Sequence, residues 1–311
     1  MRVDGFVKRF NEYRQDYYSP SKNICVDESI SICYSQGGHW INIGLPMYVA
    51  IDRKPENGCE IQNAADGRSG IMLCLRLVTT AEESCIQDAV EDKVEETKLL
   101  HGTQVLKGLV LPWENSDRVV CADSYFASVG AAEELKRIGL RFIGVVKTAT
   151  RRYPQNSLSR IELQQRKDFK GLTSSTNDGA TLLAFVWMDQ ERRYFIATGS
   201  SLANGTPYFR TRCGNFDVTP NADAECVYLV IPQPKAAEVY YNSCAAINQH
   251  NRCRQDDLML ETKSVTHDWS RRVNMLLLGI SIVDAWFAFQ GSRGGTMCDI
   301  KQREFYEFLS E

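Results

Sequence analysis

Residues 118–147 read RVVCADSYFASVGAAEELKRIGLRFIGVVK, and this stretch decides the fold. Residues 119–122 are a short apolar run that ends at Asp123. Residues 130–138 then carry apolar side chains at helical spacing before a glycine, and residues 142–146 are apolar and β-branched again. This order predicts a strand-helix-strand crossover, which requires parallel strands buried on both faces.

Asp123 would lie at the carboxyl end of the first strand of this crossover. Open α/β sheets bind their ligands at that edge, so the position suits a functional carboxylate. A turn residue that opens the connection to the helix fits the same position. The residue by itself leaves both interpretations open.

Composition indicates a globular protein of one large domain or two ordinary ones. The chain has 311 residues, of which 43% are hydrophobic, and this is enough for a proper core. The net charge is −3 and the pI is near 5.9, whereas many nucleic-acid-binding domains are strongly basic. Any contact with DNA would therefore come from local patches.

The eleven cysteines contain no CxxC pair, and no apolar N-terminal segment with a basic flank marks secretion. We therefore expect reduced thiols in an intracellular protein. Four dispersed histidines argue against a zinc site. Residues 273–289 form the longest apolar stretch, but Asn274 and Asp284 interrupt it, which favours a buried helix over a membrane span.

A second notable stretch, residues 23–34, reads NICVDESISICY and alternates as a strand does. The adjacent acids Asp27 and Glu28 work against strand propensity unless something uses them. A solvent-facing acid on an edge strand is the alternative interpretation of Asp27.

A third stretch, residues 240–261, reads YYNSCAAINQHNRCRQDDLMLE. A tyrosine pair and several small residues precede Ile247, and Asn248 follows at the predicted start of a helix. An asparagine in that place also suits a helix N-cap.

Together the three stretches resemble, in order, the catalytic blocks of the piggyBac family of DDE transposases. That family has an Asp-Glu pair on a strand, an Asp that closes a strand before an aromatic pair, and an Asp that follows an aliphatic residue at a helix. The resemblance implies an α/β fold: an RNase H-like mixed sheet flanked by helices, with an inserted mostly-β region between the second and third catalytic positions.

By this resemblance, Asp27, Asp123 and Asn248 occupy the catalytic and metal-ligand positions. In such enzymes three carboxylates hold two Mg²⁺ or Mn²⁺ ions about 3.5 to 4 Å apart. Asn248 departs from the pattern, since its amide oxygen can coordinate a metal but brings no negative charge. We expect weaker occupancy of one metal and much slower chemistry.

Neighbouring acids do not replace the missing carboxylate in this interpretation. Glu28 would point to the opposite face of its strand. Asp256 and Asp257 follow Asn248 by eight and nine residues, which is about 12 Å or more along a helix.

A basic patch follows the central crossover. Residues 147–170 contain seven basic side chains against two acidic ones, a local balance of +5. Such a patch could neutralise phosphates, or it could be an ordinary solvated loop. The candidate nucleic-acid-binding residues are Lys147, Arg151, Arg152, Lys167 and Lys170.

The predicted organisation has five parts. Residues 1–20 would be the remnant of an N-terminal helical region, 21–150 the first part of the core, 151–225 the insertion, 226–290 the last part of the core, and 291–311 a C-terminal tail. The N-terminal DNA-binding and dimerisation parts of the family and its C-terminal Cys-rich finger have no predicted counterpart.

The resemblance implies metal-dependent DNA cleavage and strand transfer, with double-stranded DNA, TTAA-type targets, hairpinned transposon ends and a homodimer as partners, and no membrane. Asn248 leads us to expect impaired activity. The alternative is a catalytically inactive, domesticated or decayed copy that acts in DNA binding or protein interaction. A small-molecule hydrolase has no support, because the sequence lacks a GxSxG motif.

Overall fold

The structure is a computed structural model. It describes residues 2–33, 48–51, 56–78, 99–147, 151–163, 168–175, 181–189, 191–214, 225–264, 268–292 and 300–309. Within these ranges the chain forms one large sheet, a small two-stranded sheet and helices on both faces of the large sheet.

The N-terminal third begins with a helix and continues into strands. Its elements are α1 (Arg2–Tyr17), β1 (Asn23–Cys33), β2 (Tyr48–Ile51), β3 (Glu56–Asp66) and β4 (Met72–Leu77). The predicted strand that carries Asp27 is therefore confirmed as β1.

The predicted crossover forms as expected. It follows α2 (His101–Val110) and a 3-10 turn, and consists of β5 (Val119–Ala122), α3 (Val129–Arg137) and β6 (Arg141–Val146). The strands β5 and β6 pair in parallel.

The remaining elements lie beyond the crossover. They are α4 (Gln155–Ser159), β7 (Phe169–Ser175), β8 (Thr181–Met188), β9 (Arg192–Thr198), β10 (Tyr208–Gly214), β11 (Glu225–Ile231), α5 (Lys235–Arg252), α6 (Leu260–Lys263), α7 (Trp269–Ser292) and α8 (Gln302–Phe308). A π-helical segment, Cys253–Leu258, continues α5.

The large sheet is mixed, as predicted. Among the described residues it has nine strands in the order β2-β3-β1-β5-β6-β9-β8-β7, with β4 also paired to β3. Of these described strands, only the central β1, β5 and β6 run parallel to one another, and β3 and β9 flank them in antiparallel pairing.

Strict alternation divides the central strands between two cores. Val26 and Ala122 pack beneath α2 and α3 on one face. Cys25 and Cys121 point to the other face, where α5 and α7 cover the sheet. Both cores are apolar at β5 and β6, which explains why these two strands read as nearly continuous hydrophobic runs.

The inserted region is mostly β, and three of its strands extend the large sheet. β9 pairs with β6, and β8 and β7 follow outward. β10 and β11 pair with each other in a separate sheet, and the predicted boundary between residues 225 and 226 falls at the start of β11. The domain boundaries themselves stay predictions.

The predicted tail, residues 291–311, contains a helix that the sequence did not lead us to expect. Phe305 on α8 packs against Trp286 and Phe289 of α7, with ring centroids 5.3 and 5.1 Å apart. Only seven residues form this helix, too short a segment for a periodic signal.

α7 contains the apolar stretch predicted as a buried helix. Within the described residues it is the one helix long and apolar enough to cross a membrane, and half of its most apolar window is buried in the protein. A core helix passes the same test. Its buried Asp284 accepts hydrogen bonds from Arg14 (2.6 Å) and the Met72 amide (2.8 Å), so packing partners surround its charge.

Candidate active site

Asp27 and Asp123 lie side by side on neighbouring strands. Val26 and Ala122 are paired across the parallel strands β1 and β5, and each aspartate is the next residue. Each acid comes two residues after a cysteine that faces α5. Residues two apart on a strand share a face, so both acids lie on the α5 side of the sheet. The parallel register therefore brings the two predicted ligands together.

The Asp27 carboxyl group is half-buried and lies close to other charges. Burial raises its pKa to about 6, and the charge of Asp123 acts in the same direction. The Glu28 amide donates a 2.9 Å hydrogen bond to Asp27 Oδ1, which opposes the shift. Lys147 also lowers this pKa, so one cation lies within electrostatic range of the acids.

Asp123 also acts as a turn residue. Its Oδ1 accepts a 2.9 Å hydrogen bond from the Tyr125 amide, and its backbone oxygen accepts from the Ala127 amide at 3.1 Å. The turn interpretation and the functional one are therefore compatible at this residue, because only one carboxylate oxygen is used in the turn.

Glu28 points to the opposite face from Asp27, as predicted. Val26, two residues earlier, packs with Leu106 beneath α2. Burial, followed by the charges of Glu60, Asp123 and Asp27, raises the pKa of Glu28 to about 8. At neutral pH this carboxyl group is mostly protonated, so it adds little negative charge behind the site.

Lys147 lies at the end of β6 and is exposed. β6 pairs with β5, and its Val145 packs on the α5 side of the sheet. Lys147 comes two residues after Val145, so it lies on the same side. Lys147 therefore extends from the face that carries Asp27 and Asp123. Sequence alone placed it in a basic patch, whereas the structure places it beside the acids.

Asn248 does not begin a helix, so that part of the prediction is wrong. α5 starts at Lys235 after Pro234, and Asn248 lies thirteen residues further on, in the last turns of the helix. The N-cap interpretation fails for the same reason. The apolar residues before the tyrosine pair are mostly small alanines, so the first turns carried too weak a pattern to reveal the helix start.

Asn248 is level with Asp27 on the flank of α5 nearest β1. One turn earlier, Cys244 packs against the core cluster that contains Cys25 and raises the pKa of the Cys25 thiol, two residues before Asp27. About one turn later, Asn251 accepts a 2.9 Å hydrogen bond from Ser29, two residues after Asp27. Residues three and four apart share a helix face, so Asn248 lies between these contacts, and it is exposed.

A family model described as Transposase IS4 matches residues 2–286 of the chain. This chain belongs to that family of DDE transposases. The family prediction is thereby confirmed. No curated protein matches the chain significantly.

The fold is similar to that of a solved piggyBac transposase. The structure is described as a cryo-EM structure of the piggyBac transposase synaptic complex with hairpin DNA. The TM-score is 0.65 at 15% sequence identity, over 99% of this chain and 55% of that one. The chain thus spans about half the length of that transposase. The match confirms the RNase H-like α/β fold.

DDE transposases use a divalent metal, and the donor set of this chain fits such an ion only in part. Asp27 and Asp123 supply two oxygen ligands of the kind that Mg²⁺ prefers. Asn248 would add a neutral amide oxygen. Among the residues that the structure describes, no group of three or more His, Cys, Asp or Glu side chains is arranged to hold a metal ion.

The predicted basic patch of the transposase core divides into different environments. Arg152 forms a bidentate ion pair with Glu133 at 2.9 and 2.7 Å. Lys170 donates to the Glu162 carbonyl at 3.0 Å and lies 3.6 Å from Asp168. Of the other candidates, Lys147 and Arg151 are exposed, and Lys167 lies outside the described residues.

Proposed function

We propose that this chain is a transposase core that binds double-stranded DNA over Asp27 and Asp123, and that its metal-dependent cleavage and strand transfer are impaired by Asn248. The observation that carries the proposal is the position of Asn248, which is level with Asp27 on the open flank of α5 and holds an amide where the family has a carboxylate.

The negative charge that Asn248 lacks is the physical reason why metal-dependent cleavage would be impaired. A bound divalent metal would activate the attacking water or 3′-hydroxyl and stabilise the leaving oxygen. Asp27 and Asp123 can hold and orient one hard cation through their free oxygens. Asn248 leaves one negative charge fewer to offset two dications, so we expect the second ion to bind weakly.

Support for DNA as the partner comes from the site's surroundings. Lys147 offers a cation beside the acids, on the same face of the sheet, where it can contact a phosphate. The piggyBac transposase of similar fold was solved with hairpin DNA. TTAA-type targets, a homodimer and a nuclear or other intracellular location belong to this proposal through the family resemblance.

A DNA-cleavage assay tests the proposal. The chain, its Asn248→Asp variant and an Asn248→Asp/Asp123→Asn double variant are incubated with a hairpin-ended duplex and Mn²⁺. Asn248 is exposed, so the first substitution should leave the fold intact. We expect slow or no nicking by the original chain, faster nicking by Asn248→Asp, and none by the double variant.

The outcomes separate the candidate functions. Efficient nicking by the original chain would refute impairment at Asn248. Nicking that persists in the double variant would show that Asp123 is not a ligand. DNA binding without nicking by either the original chain or Asn248→Asp would favour the second candidate, a catalytically inactive DNA-binding module.

A further inference from the structure

A buried polar network connects the strand that carries Asp27 to the helix that carries Asn248. On the α5 side of β1, the two alternate positions after Asp27 are Ser29 and Ser31, each only 1% exposed. Ser29 Oγ donates to Asn251 Oδ1 at 2.9 Å, and Ser31 Oγ donates to Glu261 Oε2 at 2.6 Å. Hydroxyl groups in an apolar core are retained where such partners exist.

Arg254 completes the network from the π-helical segment after α5. Its guanidinium is 1% exposed, donates to Asn251 Oδ1 at 3.2 Å and forms an ion pair with Glu261. On the other side, Asn63 of β3 donates to Ser29 Oγ at 2.5 Å. We call this network the clamp. Its members are Asn63, Ser29, Asn251, Arg254, Glu261 and Ser31.

The surrounding helix accommodates this buried charge. Gly279 of α7 lies against Arg254, and a Cβ at that position would approach Arg254 Cγ to 3.0 Å. A buried ion pair contributes little net stability compared with apolar residues of similar volume. Stability alone therefore does not account for the clamp.

The directionality of hydrogen bonds accounts for the clamp better than stability does. Apolar contacts are non-directional, so they hold α5 on the sheet without fixing its height along β1. One turn of an α-helix is about 5.4 Å long. The 2.9 Å hydrogen bond from Ser29 to Asn251 would be lost if α5 slid along β1 by even part of that distance. The Ser29 to Asn251 bond lies close to the level of Asp27 and Asn248, where a shift would matter most.

We propose that Ser29 and Asn251 are positioning residues that, held by Arg254, fix the height of α5 so that residue 248 stays level with Asp27. This inference rests on the proposed function, because it concerns the geometry of the same site. It implies that the chain retains the alignment needed for a third ligand although it lacks the carboxylate.

Mn²⁺ titrations in the Asn248→Asp background test the clamp. Ser29→Ala removes the bond to α5, whereas the matched control Ser243→Ala removes a buried hydroxyl of α5 that donates within its own helix, to the Val239 carbonyl. We expect Ser29→Ala to raise the Mn²⁺ Kd about tenfold, in the range of residues that orient metal ligands. Ser243→Ala should leave the Mn²⁺ Kd within about twofold, and Ser29→Thr, which keeps the hydroxyl, should restore binding.

A second variant guards against a folding defect in Ser29→Ala. Asn251→Ala, at a half-buried position, should weaken Mn²⁺ binding at least as much, because it also removes an acceptor of Arg254. The double variant should bind no more weakly than Asn251→Ala, because both changes break the same bond between Ser29 and Asn251. Thermal denaturation of each variant establishes that it is folded.

Each result has a distinct meaning. If Asn248→Asp binds Mn²⁺ and Ser29→Ala and Asn251→Ala leave the Kd unchanged, the clamp proposal fails and the proposed function stands. Equal weakening by Ser29→Ala and Ser243→Ala would also overturn it, because general loosening of the core would then explain the effect. If Asn248→Asp does not bind Mn²⁺ at all, both proposals fail.

Discussion

Asp27 and Glu28 are neighbours in sequence but face opposite sides of the sheet, and this separates their chemistry. Asp27 has a pKa near 6 and is mostly ionised at neutral pH, as a metal ligand must be. Glu28 has a pKa near 8 and is mostly neutral. The sequence predicted their opposite orientation from strand alternation, but not the approach of Glu60, which requires the pairing of β1 with β3.

Glu28 should make folding stability depend on pH. Its pKa rises from 4.5 to about 8 on folding, so the native state binds more protons than the unfolded state between these values. The free energy of unfolding therefore falls as pH rises from about 4.5 to 8. Glu28→Gln, which is neutral throughout, should flatten that fall and be the more stable protein at pH 8. Urea denaturation from pH 5 to 9 measures this, and parallel profiles would contradict it.

Lys147 should contribute more to DNA affinity than Lys170. Lys147 is exposed beside the acids, whereas Lys170 already binds the Glu162 carbonyl. Lys147→Ala should weaken binding and reduce the slope of log K against log salt by about 0.9, the value for one phosphate contact. Lys170→Ala is the matched control and should change the slope less. Fluorescence anisotropy with a labelled duplex measures both, and equal slopes would count against a phosphate contact at Lys147.

At the scale of elements, local signals predicted the crossover and missed the start of α5. β5, α3 and β6 each carry their own periodicity and end signals, including Ser128, whose hydroxyl caps α3 by accepting from the Ala131 amide at 3.0 Å. The start of α5 after Pro234 has no side-chain cap and follows a proline-containing segment. The clamp was not predictable either, because it joins β1, β3, α5 and α6 through tertiary contacts.

Gly139 ends α3 in a conformation that needs glycine. Its φ is +74°, and a Cβ would lie 2.7 Å from the Asn115 Cα. Gly139→Ala should lower the free energy of unfolding by roughly 1 to 3 kcal/mol. Gly108→Ala on α2 is the control, because a Cβ there meets nothing within 4 Å, and it should stabilise by about 0.5 to 1 kcal/mol. Chemical denaturation gives both values, and a neutral Gly139→Ala would be inconsistent with the turn.

At the scale of the whole molecule, the parallel strands at the centre of the sheet position the candidate site, and the antiparallel strands of the inserted region extend the sheet beyond them. Asp27 lies in β1 where the pairing with β5 ends, and Asp123 and Lys147 directly follow β5 and β6, so the three residues come together at one edge of the parallel pairing. Sequence resemblance predicted this core and the inserted strands. It could not reveal that β9, β8 and β7 extend the same sheet, because the pairing of β6 with β9 joins residues about fifty positions apart.

The central claim is that Asp27, Asp123 and residue 248 form one metal site that lacks a single charge. Calorimetric titration of Mn²⁺ into the original chain, Asn248→Asp and Asn248→Asp/Asp123→Ala tests it most directly. We predict that Asn248→Asp binds at least about tenfold more tightly than the original chain, equivalent to roughly 1.4 kcal/mol, and that the added Asp123→Ala change abolishes this gain. Identical isotherms for the original chain and Asn248→Asp, or a gain that survives Asp123→Ala, would contradict the claim.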